Sequence, residues 1–158
     1  MALGLLVGRF GSFIREKHDA PVSEPPHAPE APMPETLHHV REVCAHHAIP
    51  LMLLSRIDGE SALSEQNAIV AHCMGLLKRS GEPAGAVEKS ALSEYVAGLR
   101  PTLIQLDSAL KQVEHEGPDA VFRLIAAAIQ VLEADGKRDP AEVKFLDALS
   151  ADLAATRK

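Results

Sequence analysis

The sequence predicts an all-α fold: a compact bundle of six to seven helices with a disordered N-terminal tail. Apolar residues make up 46% of the 158 positions, aromatic residues only 3%, and tryptophan is absent. A core of Leu, Ala, Ile and Val favours packed helices over a sheet. Beyond residue 36 the apolar positions recur at helical spacing, and no segment has the alternating pattern of a strand.

Composition divides the chain into three regions. Residues 20–35, APVSEPPHAPEAPMPE, are rich in proline and predict a flexible linker. Residues 36–158 are long enough to form one helical domain with its own core. Residues 1–19 are open to two interpretations. In the first, residues 1–17 form an amphipathic helix that contacts a membrane surface or a partner's groove. In the second, the segment is a frayed tail, because each of its glycines destabilises a helix by about 1 kcal/mol.

The first helix of the domain contains Pro50. Val40 and Cys44 give this helix an apolar face, and the apolar run Leu51–Leu54 follows the proline. Proline lacks an amide proton but fits the first turn of a helix. Pro50 therefore either kinks one long helix or begins a second one.

Breaker and cap residues delimit the later helices. Ser64 is expected to cap the second helix, which ends before Gly81; Pro101 is expected to open another, Gly117 to separate two more, and Asp139 to cap the last. The residues expected to face the core of these helices are Ile69, Val70, Cys73, Leu76, Leu77, Val87, Leu92, Tyr95, Val96, Leu103, Leu106, Leu110, Val113, Val143, Leu146, Leu149 and Leu153.

Charge and cysteine content restrict the function classes. A formal charge of −6 and the lack of a basic stripe argue against a nucleic-acid partner. Two cysteines, Cys44 and Cys73, are too few for a disulfide framework and predict buried or free thiols in a reducing cytoplasm. No apolar run approaches the ~20 residues of a membrane span, and no secretory signal is predicted.

Two acidic turns carry the most specific pattern in the chain. EADGKRDPAEVKFLDAL (Glu133–Leu149) and RIDGESALSEQNAIV (Arg56–Val70) each join two apolar helices through Asp-Gly. Glycine suits the positive φ at a helix end. Asp139 and Glu142 match the Asp-x-x-Glu form of a capping box, with Pro140 at the first helical position. These acids are therefore explained equally well as helix caps.

The two turns resemble those of the TerB-like domain of tellurite-resistance proteins, over roughly Leu37 to Leu153. The resemblance implies a domain of two related halves without catalytic activity, which acts in bacterial stress responses through protein partners and membrane-associated complexes. It also implies a divalent cation such as Ca²⁺ at the matching acidic positions, which are Asp58, Glu60, Glu65, Asp135, Asp139 and Glu142. Lys137 replaces an acid in the second turn, so the first is expected to bind a cation more strongly.

A second set of residues suggests zinc. Cysteine and histidine ligands hold zinc where four converge, and Cys44 and His47 have helical i, i+3 spacing. The full set is His38, His39, Cys44, His46, His47, His72 and Cys73. Paired CxxC or HxxxH spacing is absent, so buried thiols and titrating histidines explain the same residues.

The sequence leaves three hypotheses for function. The first is a non-enzymatic, cytoplasmic TerB-like module that responds to a cation. The second is a protein–protein adaptor, tethered to a membrane by its N-terminal segment, in which the acids only cap helices. The third is a metal-dependent hydrolase that uses paired carboxylates.

Overall fold

Helices dominate the fold. The structure is a computed structural model that describes residues 38–57, 59 and 61–155. Its helices are α1 (His38–Ser55), α2 (Leu63–Arg79), α3 (Ala86–Gly98), α4 (Leu103–Glu116), α5 (Pro118–Glu133) and α6 (Pro140–Ala155). The described part of the chain has no strand, so the predicted all-α class is confirmed. The N-terminal segment and the linker predicted for residues 1–35 lie outside the described residues.

Helix α1 lies at the centre of the bundle, because it contacts each of the other five helices. A helix that packs on several sides must bury more than one stripe of its surface. Its buried residues are Val40, Cys44, His47, Ala48, Pro50, Leu51, Met52, Leu54 and Ser55. Pro50 lies inside this one helix and does not begin a second. It has no amide proton to donate to the carbonyl group of His46, four residues earlier.

The start of α2 differs from the prediction. Its N-cap is Ala62, which has no polar side chain, and the helix begins at Leu63. The Glu65 carboxylate accepts a hydrogen bond of 2.8 Å from the Ala62 amide and so satisfies that donor. The prediction that Ser64 caps the helix was wrong, because Glu65 reaches back and the helix can start earlier.

The junction between α4 and α5 is set by local cap residues. Thr102 and Gln105 form a reciprocal capping box, with bonds of 2.8 and 3.2 Å, so α4 starts at Leu103. The prediction that Pro101 opens this helix was wrong by two residues. Gly117, with a φ of 109°, separates the two helices as the sequence predicted, and Pro118 is the first residue of α5.

The core is continuous and aliphatic, with Phe145 as its largest fully buried side chain. Most of the predicted core positions are buried or pack against it. Val87 and Val143 are exceptions, at 65% and 36% exposure, because their side chains lie on the solvent-facing side of their helices. None of the helices described is long and apolar enough to cross a membrane.

Candidate metal site between helices α1, α2 and α4

Two histidines pair in the interior of the bundle. His47 of α1 is fully buried, and its Nδ1 lies 2.9 Å from Nε2 of His72 on α2. Burial lowers the pKa of His47 to about 3, helped by the neighbouring His72 and His46. Burial also lowers the pKa of His72 to about 4, with contributions from Arg79 and Arg123. Both imidazoles are therefore neutral at neutral pH, the form that binds metals.

Glu116, the last residue of α4, reaches both adjacent histidines of α1. Its Oε1 lies 2.6 Å from Nε2 of His46, and its Oε2 lies 3.9 Å from Nε2 of His47. The second distance is too long for a hydrogen bond. Nε2 of His47 is consequently buried without a hydrogen-bond partner. Such an atom costs about 1–3 kcal/mol of folding free energy, and it marks a place where a ligand would be stabilised.

Three side chains supply a ligand set. His46, His47 and Glu116 each offer one ligand atom, and these atoms lie within 4.8 Å of one another. Two imidazole nitrogens and one carboxylate suit zinc and related first-row metals. A tetrahedral ion with bonds of about 2.1 Å needs ligand atoms roughly 3.4 Å apart. Glu116 is partly exposed and can move inward, whereas His47 is held by the core around it.

The contact between His47 and His72 leaves Nε2 of His47 available to a metal in one of its two tautomers. A metal on Nε2 of His47 requires the proton on Nδ1, where it is donated to Nε2 of His72. A hydrogen bond from the far side of a ligating histidine commonly fixes its tautomer and orientation in metal sites. His72 is thus placed to orient His47 without itself binding the ion.

An open cleft of about 460 Å³ leads to this group. His46 and Glu116 line the cleft, together with Arg79, Gln112 and Arg123. His47 is fully buried and does not line the cleft. An ion entering from solvent would therefore meet His46 and Glu116 first. It would reach His47 once the contact between His46 and Glu116 is broken.

Two acids of the second predicted site accept hydrogen bonds within their own turn. Asp135 Oδ1 accepts a hydrogen bond of 2.9 Å from the Lys137 amide. Asp139 Oδ1 accepts one of 2.7 Å from the Ala141 amide, which confirms its predicted role as N-cap. Glu142, in the first turn of α6, is buried.

The first predicted site is only partly described. Glu65 is buried, and its carboxylate makes the cap bond to Ala62. Asp58 and Glu60 lie outside the described residues. Gly59 and Gly136 both have positive φ, of 114° and 71°, as predicted for these turns. The acidic cation site therefore stays a prediction, while its capping interpretation is confirmed for Glu65 and Asp139.

The histidine–cysteine set is partly brought together. His46, His47 and His72 meet at the candidate site, but the sequence reasoning did not include Glu116, because no spacing rule links it to α1. Cys44 and Cys73 are buried free thiols, as predicted, and Cys44 Sγ lies 3.6 Å from the Cys73 carbonyl oxygen. A side-chain hydrogen bond with Cys44, which favours the protonated thiol, and burial raise the pKa of Cys73 well above its usual value, so Cys73 is a thiol and not a metal-binding thiolate.

In comparisons with protein-family models, curated proteins and solved structures, the chain matches none. The TerB-like resemblance of the two turns therefore stays a prediction, and the candidate site is argued from its geometry.

Proposed function

We propose that this protein is a non-enzymatic helical module that binds one divalent transition-metal ion through His46, His47 and Glu116. The observation that carries this proposal is the buried, unpartnered Nε2 of His47, which lies beside two further ligand atoms. Bound metal would give that nitrogen a partner and draw α1 and α4 together. The protein would consequently be more stable, and its α1–α4 contact more rigid, in the metal-bound state.

The ligand types favour zinc, nickel or cobalt over calcium. Calcium takes six to eight oxygen ligands in proteins, whereas this site supplies two nitrogens and a single carboxylate. The Ca²⁺ expected from the TerB-like resemblance would instead belong to the acidic turns. The two ideas are separable, because calcium should perturb the turn amides and zinc the amides around His47.

The TerB-like resemblance supplies a biological setting for this proposal. It supports a role in a bacterial stress response of the tellurite-resistance type, in the cytoplasm and through protein partners. In that setting the ion acts as a signal or a structural clamp, and no catalytic step is needed.

Metal titration of the purified chain tests the proposed function. We expect one equivalent of Zn²⁺ or Co²⁺ to bind and to raise the melting temperature, and His46→Gln to remove most of both effects. His38→Gln is the matched control, because His38 is exposed on the same helix and lies outside the ligand group. Wild-type protein that binds neither ion at micromolar concentration would contradict the proposal.

A protein–protein adaptor is the second candidate function, favoured by apolar surface on α5. Phe122 and Ile129 are 59% and 42% exposed and lie seven residues apart, on one face of the helix. The adaptor hypothesis predicts that metal has no effect and that membrane attachment depends on the N-terminal segment. Vesicle co-sedimentation of the full chain and of a chain lacking residues 1–19 tests this attachment. Equal binding of the two chains would show that residues 1–19 do not tether the protein.

A further inference from the structure

Arg123, which lines the cleft, has a nitrogen without a hydrogen-bond partner, as His47 does. It lies on α5 and lines the cleft together with His46 and Glu116. Its Nε is buried and makes no hydrogen bond. A guanidinium N–H that is shielded from water and unpaired is costly, because it has lost its hydrogen bond to water and gained none in the protein. The cleft therefore contains an unsatisfied donor near the candidate metal ligands.

The metal site itself needs a further ligand. Zinc and cobalt take at least four ligands, and a site with three protein ligands leaves a position for water or an exogenous group. His46 and Glu116 line the cleft, so the remaining position of the ion faces it. A molecule in the cleft can therefore reach the ion.

The charge balance of the cleft favours an anion. Glu42 and Glu116 contribute two negative charges, and Arg79 and Arg123 contribute two positive charges, so these four lining residues sum to zero. Metal-bound imidazoles are neutral, and a divalent ion then adds two positive charges. Uncompensated charge in a partly enclosed space attracts counter-ions of the opposite sign.

We propose that the metal-loaded cleft binds a small oxyanion, with one oxygen on the metal ion and another accepting a hydrogen bond from the guanidinium group of Arg123. This inference rests on the proposed function, because the ion provides half of the binding site. Arginine suits the role, since its planar fork pairs with two oxygens of a carboxylate or phosphate group. Arg79, which is exposed at the end of α2, adds charge at the same cleft.

The size of the cleft restricts the ligand further. Small-molecule sites occupy roughly 300–1,000 Å³, and this cleft, at about 460 Å³, lies at the lower end. The ligand is therefore a small carboxylic acid or phosphate compound. Acetate and inorganic phosphate represent these two sources of the same oxyanion chemistry.

The test uses the Co²⁺-loaded full-length protein, whose visible absorption reports on metal coordination. Acetate or phosphate is titrated into wild type, Arg123→Gln and the control Arg138→Gln. Arg138 is exposed and pairs with Glu133, at the opposite end of α5 from Arg123. We expect a saturable spectral change in wild type and in the control, and an anion affinity at least about tenfold weaker in Arg123→Gln. The anion with the tighter binding identifies the ligand class.

The outcomes separate the two proposals. Cobalt that binds with a spectrum dependent on His46, but that neither anion alters, overturns the oxyanion proposal and leaves the metal site intact. An anion response equal in wild type and Arg123→Gln also overturns it, because Arg123 then contributes nothing. Failure of cobalt to bind at all overturns both proposals together. Dialysis followed by metal analysis verifies that the anion does not simply remove cobalt.

Discussion

The turn between α5 and α6 and the histidine–glutamate cleft both collect polar side chains, but they satisfy them differently. In the turn, Asp135 and Asp139 accept hydrogen bonds from amides only two residues away. Around the cleft, His47 of α1 and Arg123 of α5 each keep a buried nitrogen without a hydrogen-bond partner. A short loop can satisfy its acids from its own backbone, whereas these two nitrogens, brought together by packing, have no protein partner and can serve a ligand.

A cluster of acidic residues is therefore a poor guide to the position of a cation site. Asp135 and Asp139 each already accept a backbone hydrogen bond through one oxygen, which leaves fewer acceptor sites for an ion. The cleft has fewer acids, but burial keeps the neighbouring His47 neutral and therefore competent as a ligand. The most informative variants are those that act on one region and leave the other unchanged.

The largest contrast is expected for loss of the carboxylate ligand. Glu116→Gln should weaken Zn²⁺ binding by about a hundredfold, or roughly 2.7 kcal/mol, because a neutral amide replaces an anionic ligand. Asp135→Asn should leave the affinity within about twofold, since its oxygen can still accept the Lys137 amide. Calorimetric titration measures both. If Asp135→Asn loses as much Zn²⁺ affinity as Glu116→Gln, the metal site does not lie at the cleft alone.

A smaller loss is expected from the residue that orients His47. His72→Leu removes the acceptor for the Nδ1 proton of His47, which lies 2.9 Å from it. Loss of such an outer partner typically costs about 10–100-fold in metal affinity. Calorimetric titration measures the metal affinity of His72→Leu and of the control His38→Gln. Circular dichroism verifies that both variants are folded. Unchanged affinity in His72→Leu would show that His47 needs no orienting partner.

The pH dependence of stability should reveal the buried histidines. The pKa of His47 is about 3 in the folded state, against about 6.5 when unfolded, so below about pH 6.5 the unfolded chain binds more protons. Metal-free stability should therefore fall as the pH drops from about 6.5 towards 4, by up to about 1.4 kcal/mol per unit for this group.

Denaturant unfolding over that range measures the effect. His47→Gln should have a shallower dependence than wild type, and His72→Gln provides a second variant in case the buried substitution prevents folding. Asp135→Asn is the control from the turn and should keep the slope contributed by the histidines. Parallel curves for wild type and both histidine variants would contradict this expectation.

The smallest expected effect belongs to the turn and concerns stability alone. Asp139→Ala removes the N-cap of α6 and should lower the free energy of unfolding by about 1 kcal/mol. Zinc affinity should not change, because the metal ligands lie on α1 and α4. Asp139→Asn should restore most of the stability, since asparagine also caps helices well. A loss of metal binding in Asp139→Ala would place part of the ion site in the turn.

Much of the fold was predictable because helix ends obey local rules. Gly117 and Asp139 ended and began helices where the sequence indicated, and the aliphatic pattern identified most of the core. Ser64 and Pro101 misled the prediction because glutamate and threonine–glutamine caps were available nearby. The prediction for Val87 was wrong because apolar spacing alone does not show which part of a helix contacts the other helices.

The helical class, the positive φ of the glycines in the turns and the cap at Asp139 followed from the sequence, because these depend on contacts within a few residues. The sequence also placed His46 and His47 among the candidate metal ligands. Only the tertiary structure brought Glu116 and Arg123 to them, since that convergence depends on how α4 and α5 pack against α1. Burial likewise arises from packing, and burial is what leaves His47 neutral and its Nε2 without a hydrogen-bond partner.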